Sequence, residues 1–274
     1  MPSRYQSIIS SEIIGRDCEL HTLKQAVRTI RQGTGRCILL SGEAGIGKSR
    51  LVTEICQQAM AEQFVILQGH CFQQDLPFPY GPWIDALRTF FAPLSGLDIE
   101  TLLGPLASEF VKLLPEMSLL IPQVRPSPTL DPEEEKRRLF EVITRFGTNL
   151  TESNPLLVVL EDLHWSDELS LELLHYFVRR ITNRPILLIG TYRSEEPSPR
   201  LTYHFVELNR ERLIDEVRLA PLTRQGVEQL VCSLLKVERP IPADLLDLVA
   251  IPADGNPFFV EEVVKTLVEA GDVA

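Results

Sequence analysis

Short apolar runs, each bounded by turn-forming residues, recur along the chain and predict the strands of a sheet. Four of them are uninterrupted by polar positions and cover residues 37–41, 64–68, 156–160 and 185–189. Strands that are buried on both faces of a parallel sheet have this pattern. A fifth and weaker run covers residues 216–220. Because helical patterns separate the runs, we expect an α/β fold with a parallel five-stranded sheet between helices.

Two segments depart from this alternation. Residues 77–132 are rich in proline and leucine, which predicts a helical insertion between strands two and three in which prolines break the helices. From residue 222 onward no strand-like run occurs, and apolar residues recur at helical spacing, as in Val227, Leu230 and Val231. We therefore expect an α/β domain over residues 1–220 and a small C-terminal helical lid over residues 221–274.

Composition and charge narrow the class of protein. The chain is 44% hydrophobic and 24% charged, which excludes a disordered chain. Its net charge of −11 argues against direct nucleic-acid binding by this segment. The five cysteines form no CxxC pair, which argues against a zinc site or a disulfide framework. Residues 1–11 lack the apolar core of a signal peptide and no apolar run reaches the length of a membrane span, so we expect a cytoplasmic protein with no membrane partner.

Residues 42–49, which we call the phosphate loop, carry the strongest chemical signal. They read Gly42-Glu-Ala-Gly-Ile-Gly-Lys48-Ser49 and match the pattern G-x-x-x-x-G-K-S/T between a predicted strand and a predicted helix. Glycines permit the tight turn, and N–H groups at the start of the helix bind phosphate oxygens. Lys48 is predicted to bridge the β- and γ-phosphates, and Ser49 to ligate Mg²⁺. The predicted nucleotide-binding residues here are Gly42, Glu43, Ala44, Gly45, Ile46, Gly47, Lys48, Ser49 and Arg50.

An acidic pair, Glu161-Asp162, follows the third predicted strand. The carboxyl ends of parallel strands meet at the edge of the sheet where ligands bind. Glu161 is therefore predicted to hold Mg²⁺, directly or through water, and Asp162 to orient the attacking water during catalysis. The reverse division of roles stays open. Together with the phosphate loop, the pair predicts a P-loop NTPase domain that uses ATP or ADP and Mg²⁺.

Two further groups have both a structural and a catalytic interpretation. His164 stands beside the acidic pair and invites a general-base role, but the simpler interpretation is that Trp165 packs and that Ser166 or Asp167 caps the next helix. Residues 133–152 predict an amphipathic helix that leads into the third strand, with acidic residues before basic ones at its start. The alternative for this helix is an arginine that reaches nucleotide across a subunit boundary.

Four motifs occur together in a fixed order and carry a family resemblance. They are residues 42–51, residues 160–167 (Leu-Glu-Asp-Leu-His-Trp-Ser-Asp), residues 190–193 (Gly-Thr-Tyr-Arg) and residues 255–259 (Gly-Asn-Pro-Phe-Phe). The chain resembles the STAND class of signal-transduction ATPases, a branch of the AAA+ superfamily, over about residues 13–268. It is most similar to the ATPase module of MalT-type and other large LuxR-family transcriptional regulators, and to ATPase modules fused to bacterial cyclases and kinases.

The resemblance implies site residues that spacing alone does not reveal. Ile14, Gly15 and Arg16 resemble the motif that borders the adenine. Arg193 resembles the sensor-1 arginine that reads the γ-phosphate, which together with Lys48 and Asp162 completes the expected catalytic set. The proline of residues 255–257, Pro257, resembles the lid residue that packs against the base. Each of these residues also has a plainer interpretation. Residues 14–16 are then an ordinary helix entry, Arg193 is a surface arginine paired with Glu195 or Glu196, and Pro257 marks a helix start.

The resemblance also implies a nucleotide-operated switch, in which ADP holds a closed state and ATP an open state that self-associates. Hydrolysis of ATP to ADP and phosphate is then slow, and the order Glu161-Asp162, where the family often has Asp-Asp or Asp-Glu, would slow it further. Family members continue into winged-helix, sensor-repeat and output domains. We expect this sequence to be a fragment of a longer chain and to lack these domains. The alternatives are a DNA-handling AAA+ ATPase of the replication-initiator type, a P-loop kinase, and a scaffold that holds ADP permanently.

Overall fold

The computed structural model describes residues 12–75, 78–196 and 198–271. The interpretations of residues 1–11 as lacking a signal peptide and of Pro77 as the start of the insertion lie outside the described residues. No helix within the described ranges combines the length and the apolar character that crossing a membrane requires.

Five strands form one parallel sheet, as the apolar runs predict. The order across the sheet is β2-β3-β4-β1-β5, and all four neighbouring pairs are parallel. The strands are β1 (Arg36–Gly42), β2 (Val65–His70), β3 (Leu156–Glu161), β4 (Ile186–Arg193) and β5 (Ile214–Arg218).

The fifth strand begins two residues before the predicted position and ends at Arg218. It lies at the edge of the sheet, paired on one side with β1, and Asp215 and Glu216 in its middle are exposed. An edge strand needs no continuous apolar run, so the hydrophobic pattern places it poorly. The four strands that do carry such runs all appear where the pattern puts them.

Helices cover both faces of the sheet, and the side chains of the strands alternate between two cores. On one face, α1 (Asp17–Ile30) and α2 (Lys48–Ala61) pack against residues such as Ile38 and Leu157. On the other face, α7 (Glu168–Ile181) and α8 (Pro199–Arg210) pack against residues such as Leu39, Val158 and Leu188. This is the three-layer α/β arrangement of a P-loop NTPase.

The chain between β2 and β3 forms the expected helical insertion. Its helices are α3 (Gly81–Phe91), α4 (Gly96–Leu103), α5 (Ala107–Leu113) and α6 (Pro132–Leu150). Phe91, Phe110 and Phe146 form its aromatic centre, with ring centroids 4.9 to 5.7 Å apart.

The prolines of the insertion lie at the boundaries of its helices. Pro82 lies in the first turn of α3, and Pro132 is the first residue of α6, where Asp131 accepts hydrogen bonds from the next N–H groups. Proline fits there because the first helical N–H groups have no partner inside the helix. The expectation of helices broken by prolines is confirmed, because α3, α4 and α5 end shortly before Pro93, Pro105 and Pro115, and α6 matches the predicted amphipathic helix.

The C-terminal part is a helical unit with a core of its own, and we call it the lid. It comprises α9 (Arg224–Leu235), α10 (Ala243–Ala253) and α11 (Pro257–Ala270). Its buried centre includes Val227, Val231, Val249 and Val260. The division proposed at residues 220 and 221 falls in the connection between β5 and α9.

Candidate functional site

A cavity of about 410 Å³ lies where the phosphate loop, the segment before α1 and the lid meet. Its apolar lining includes side chains of that segment and the lid, and its charged lining includes Arg16, Lys48, Asp162, Arg193 and Glu261. This edge of the sheet is where open α/β folds bind ligands. The lining includes Ile13, Ile14, Arg16, Ala44, Gly45, Ile46, Gly47, Lys48, Ser49, Arg50, Asp162, Arg193, Leu222, Leu230, Pro257 and Phe258.

Glycines give the phosphate loop a backbone that other residues adopt only with strain. Gly45 has a φ of +76° and Gly47 a φ of +106°. A Cβ atom on Gly45 would also lie 2.7 Å from Cβ of Phe258 in the lid. At Gly47 a Cβ would meet nothing within 4 Å, so there the backbone conformation alone demands glycine.

Lys48 is the buried cation of the loop. Its ammonium group donates hydrogen bonds of 2.8 Å to the carbonyl oxygens of Gly42 and Glu43, and only 7% of the residue is exposed. Burial lowers the pKa of Lys48, although the carboxylates of Asp162 and Glu195 act in the opposite direction. A desolvated cation beside N–H groups of a helix start is suited to binding a phosphate group.

The two acids after β3 are placed differently. Asp162 has a φ of +59°, its N–H donates to Oγ1 of Thr191 at 3.0 Å, and its side chain lines the cavity. Glu161 is 4% exposed and accepts a hydrogen bond of 3.0 Å from Nε2 of Gln68. It also lies 3.3 Å from Nε2 of His70, on the strand that pairs with β3. Asp162 therefore faces Lys48, while Glu161 is held beside β2.

The side-chain oxygen atoms that line the cavity are suited to binding Mg²⁺ together with a nucleotide. Ser49 and Asp162 both line it, and hydroxyl and carboxylate oxygens are hard ligands of the kind this ion prefers. Within the part of the chain that the structure describes, no group of three or more His, Cys, Asp or Glu residues could hold a metal ion by itself. Phosphate oxygens and water would complete the coordination, as is usual for Mg²⁺.

Arg193 lies at the end of β4, next to Gly42 of β1 in the register of the sheet. Its guanidinium group pairs with Glu196 at 3.1 Å and lies 4.8 Å above the ring of Trp165. The other following glutamate, Glu195, does not take this partner and instead accepts a hydrogen bond of 2.8 Å from the N–H of Ala44. Arg193 still lines the cavity.

The segment before α1 is tied directly to the phosphate loop. Arg16 is 5% exposed, and its Nη2 donates to the carbonyl oxygen of Ile46 at 3.1 Å. Burial lowers the pKa of Arg16, against the effect of Glu19, which lies 3.5 Å away. Gly15 has a φ of +67°, and a Cβ on it would lie 2.9 Å from Cδ2 of Leu222 at the lid.

Asn256 is a site residue to which the sequence analysis assigned no role. It begins α11 as its N-cap, and its Oδ1 accepts from the N–H of Phe258 at 3.1 Å. Its Nδ2 donates to the carbonyl oxygen of Ala44 at 2.8 Å, which joins the lid to the phosphate loop. The available signal was an asparagine directly before Pro257, because Asn is a favoured cap and Pro a favoured first helical residue.

The histidine beside the acids is buried and has no hydrogen-bond partner on either ring nitrogen among the described residues. Nδ1 of His164 lies 3.9 Å from Oδ1 of Asp162, and its ring lies 4.4 Å from that of Trp165. Burial lowers the pKa of His164. Asp167, one of the two predicted caps, accepts from the N–H of Ser170 at the start of α7.

Basic residues of α6 pair within the chain. Lys136 lies 3.1 Å from Glu172, and Arg138 pairs with Glu109. Neither residue lines the cavity. These contacts give Lys136 and Arg138 a structural role, and the alternative of an arginine acting across a subunit boundary stays a prediction for the exposed Arg137 and Arg145 of this helix.

A family model described as an AAA ATPase domain matches residues 12–189, well over half of the chain. The chain belongs to this family. A second model, described as a domain of unknown function, matches residues 224–274, which include the lid helices. Membership establishes the AAA+ part of the resemblance and, at a general level, an ATPase-type nucleotide-binding domain.

Two curated relatives are much longer than the segment they share with this chain. Uncharacterized protein R02095 of Rhizobium meliloti (strain 1021) is 27% identical over 272 residues, which cover 92% of this chain and 25% of the relative. Hybrid signal transduction histidine kinase G of Dictyostelium discoideum is 26% identical over 179 residues, covering 61% of this chain and 5% of the relative. The chain thus spans a quarter or less of each.

Solved structures show the same fold at low identity. Drosophila ORC bound to DNA has a TM-score of 0.59 at 14% identity, covering 97% of this chain and 59% of that one. The Aeropyrum pernix ORC2 protein, in ADPNP-ADP complexes, has a TM-score of 0.55 at 15% identity, covering 99% and 65%. Cdc6p of Pyrobaculum aerophilum has a TM-score of 0.54 at 13% identity, covering 98% and 65%. These likenesses show an AAA+ fold.

Proposed function

We propose that this AAA ATPase domain is the ATP/ADP-operated switch module of a STAND-type signal-transduction or transcription-regulatory protein. The observation that carries the proposal is the direct bond between lid and phosphate loop, from Asn256 to Ala44. A switch requires that nucleotide bind two conformations with different affinity. This hydrogen bond couples the lid to the loop that receives the phosphates, because a movement of either the lid or the loop alters the same contact.

The proposed roles follow the placement of the side chains. Lys48 binds the β- and γ-phosphates, Arg193 contacts the γ-phosphate, and Asp162 orients the attacking water. Mg²⁺ is held by Ser49 and by Glu161, directly or through water. Since Gln68 and His70 hold Glu161 beside β2, direct ligation of the ion by Glu161 requires that these contacts loosen, which supports slow hydrolysis, whereas ligation through water leaves them in place.

The apolar lining of the cavity is proposed to hold the adenine. Ile14 and Pro257 lie on it, as the resemblance implies, and Leu222 and Leu230 of the lid segment add to the same surface. A flat aromatic base gains binding free energy from apolar surface of this kind. The hydrogen bond from Arg16 to Ile46 supports a role in fixing the phosphate loop, so the proposed role of Arg16 is beside the phosphates and not on the base.

The proposed setting is a larger cytoplasmic signalling protein that self-associates when ATP is bound. The matched relatives include a hybrid signal transduction histidine kinase, in which the shared segment is a small part of the chain. Winged-helix, sensor-repeat and output domains are the proposed partners of this module in its parent protein. The alternative, a DNA-handling ATPase of the replication-initiator type, shares the fold, but a net charge of −11 argues against DNA contact by this chain.

The test is to identify the nucleotide retained by freshly purified protein and to compare the variant Lys48→Ala. We expect bound ADP in the unaltered chain and its loss in the variant, because the variant removes the buried cation. Hydrolysis by the unaltered chain should be well below the turnover of about 1–10³ s⁻¹ typical of enzymes. Undiminished ATP binding by Lys48→Ala would contradict the site, and fast turnover would contradict the switch.

A further inference from the structure

A side chain of the protein itself already occupies part of the phosphate loop. Oε1 of Glu195 accepts the N–H of Ala44 at 2.8 Å, in the loop whose N–H groups are built to receive phosphate oxygens. Burial alone would raise the pKa of Glu195, but the N–H of Ala44, its own N–H and the cations Lys48 and Arg193 together lower it. The group is therefore a carboxylate at neutral pH.

The neighbouring glutamate holds a second group of the same region. Glu196 pairs with Arg193, which lines the cavity. Two consecutive carboxylates thus engage an N–H group of the phosphate loop and the arginine at the end of β4. Both engaged groups are of the kind that stabilises the charge of a terminal phosphate.

We propose that Glu195 is a specificity-determining residue of the nucleotide site, whose carboxylate competes with the terminal phosphate of a nucleoside triphosphate and so favours the diphosphate. The inference rests on the proposed function for the identity of the ligand. A triphosphate must either displace Glu195 from Ala44 or bring a second anion next to it. A diphosphate carries one phosphate fewer and avoids most of this conflict.

The contact lies at the point where the lid is attached. The N–H of Ala44 donates to Glu195, and the carbonyl oxygen of the same residue accepts from Asn256. A triphosphate that displaces Glu195 therefore releases the N–H of Ala44, while Asn256 of the lid still holds the carbonyl oxygen of the same residue. A difference between ADP and ATP at Glu195 is therefore transmitted to the lid through Ala44 and Asn256.

The variant Glu195→Gln tests the proposal, with binding of ADP and of a non-hydrolysable ATP analogue measured by calorimetry in the presence of Mg²⁺. We expect affinity for the analogue to rise about fivefold and affinity for ADP to change less than about twofold. The gain is smaller than a fully buried contact to a charged group would give, because Glu195 is exposed and water screens it. Glu195→Ala should give the same selectivity, since it also removes the carboxylate.

The matched control is Glu152→Gln, which removes the same charge from an exposed residue that does not line the cavity. Its ratio of analogue to ADP affinity should shift less than about twofold. Equal gains for both nucleotides, no gain for the analogue, or the same shift in Glu152→Gln would each overturn the role of Glu195. Failure of the unaltered protein to bind either nucleotide would instead refute the proposed function.

Discussion

At the scale of single residues, the division of labour between the two acids can be tested directly. Asp162 lines the cavity opposite Lys48, so Asp162→Asn should lower the rate of ATP hydrolysis by about 10²-fold or more through loss of water orientation. Affinity for ADP should change little. The measurements are turnover under saturating ATP with Mg²⁺ and calorimetric ADP binding. Glu161→Gln serves as the comparison, and a larger loss of turnover in that variant would reverse the two roles.

The residue scale is also where sequence reasoning reached its limit. A glycine-rich motif of fixed spacing identifies Lys48 and Ser49 because the required chemistry is local. Glu195, and not Glu196, reaches Ala44 because of how the turn after β4 lies against a loop about 150 residues earlier. The spacing of residues in the sequence carries no information about this tertiary contact. Asn256 reaches the same residue from 212 positions away. Its cap could be inferred from the sequence, but its second hydrogen bond could not.

At the scale of elements, the start of α11 should couple stability of the lid to nucleotide binding. Asn256→Ala removes both the cap and the bond to Ala44, and loss of a cap alone costs about 0.5–2 kcal/mol. We expect a lower free energy of unfolding in urea and faster loss of bound ADP. Asn256→Ser retains a capping oxygen but lacks the amide N–H. It should recover most of the stability without recovering ADP retention, and recovery of both would show that the cap alone matters.

The same scale shows which elements a hydrophobic pattern can and cannot find. β1, β3 and β4 lie inside the sheet and are apolar on both faces, so their runs stand out. β5 at the edge alternates only weakly and was misplaced by two residues. In the insertion, proline indicates helix boundaries of both kinds, because it fits the first turn of a helix but cannot continue the interior of one.

At the scale of the whole molecule, charge separates the switch from the DNA-handling alternative that shares its fold. Proteins that bind DNA through its backbone do so by neutralising phosphates with Lys and Arg, and their affinity falls steeply with salt. This chain carries 27 Lys and Arg against 38 Asp and Glu, so its long-range field repels a polyanion. The cavity with the buried Lys48 and the loop N–H groups suits a nucleotide, whose few phosphates need no extended basic surface.

We therefore expect the 274-residue chain, with ADP or a non-hydrolysable ATP analogue bound, to show no binding of a labelled DNA duplex at micromolar protein. Fluorescence anisotropy at low and at physiological salt measures this, and low salt is the stringent condition because screening is weakest there. The control for the charge argument is a variant in which more than 11 surface Asp and Glu residues are replaced by the amides, which makes the net charge positive and should allow weak binding at low salt only. Salt-sensitive binding by the unaltered chain would show that a local basic surface outweighs the overall charge, and the replication-initiator alternative would then be the better description.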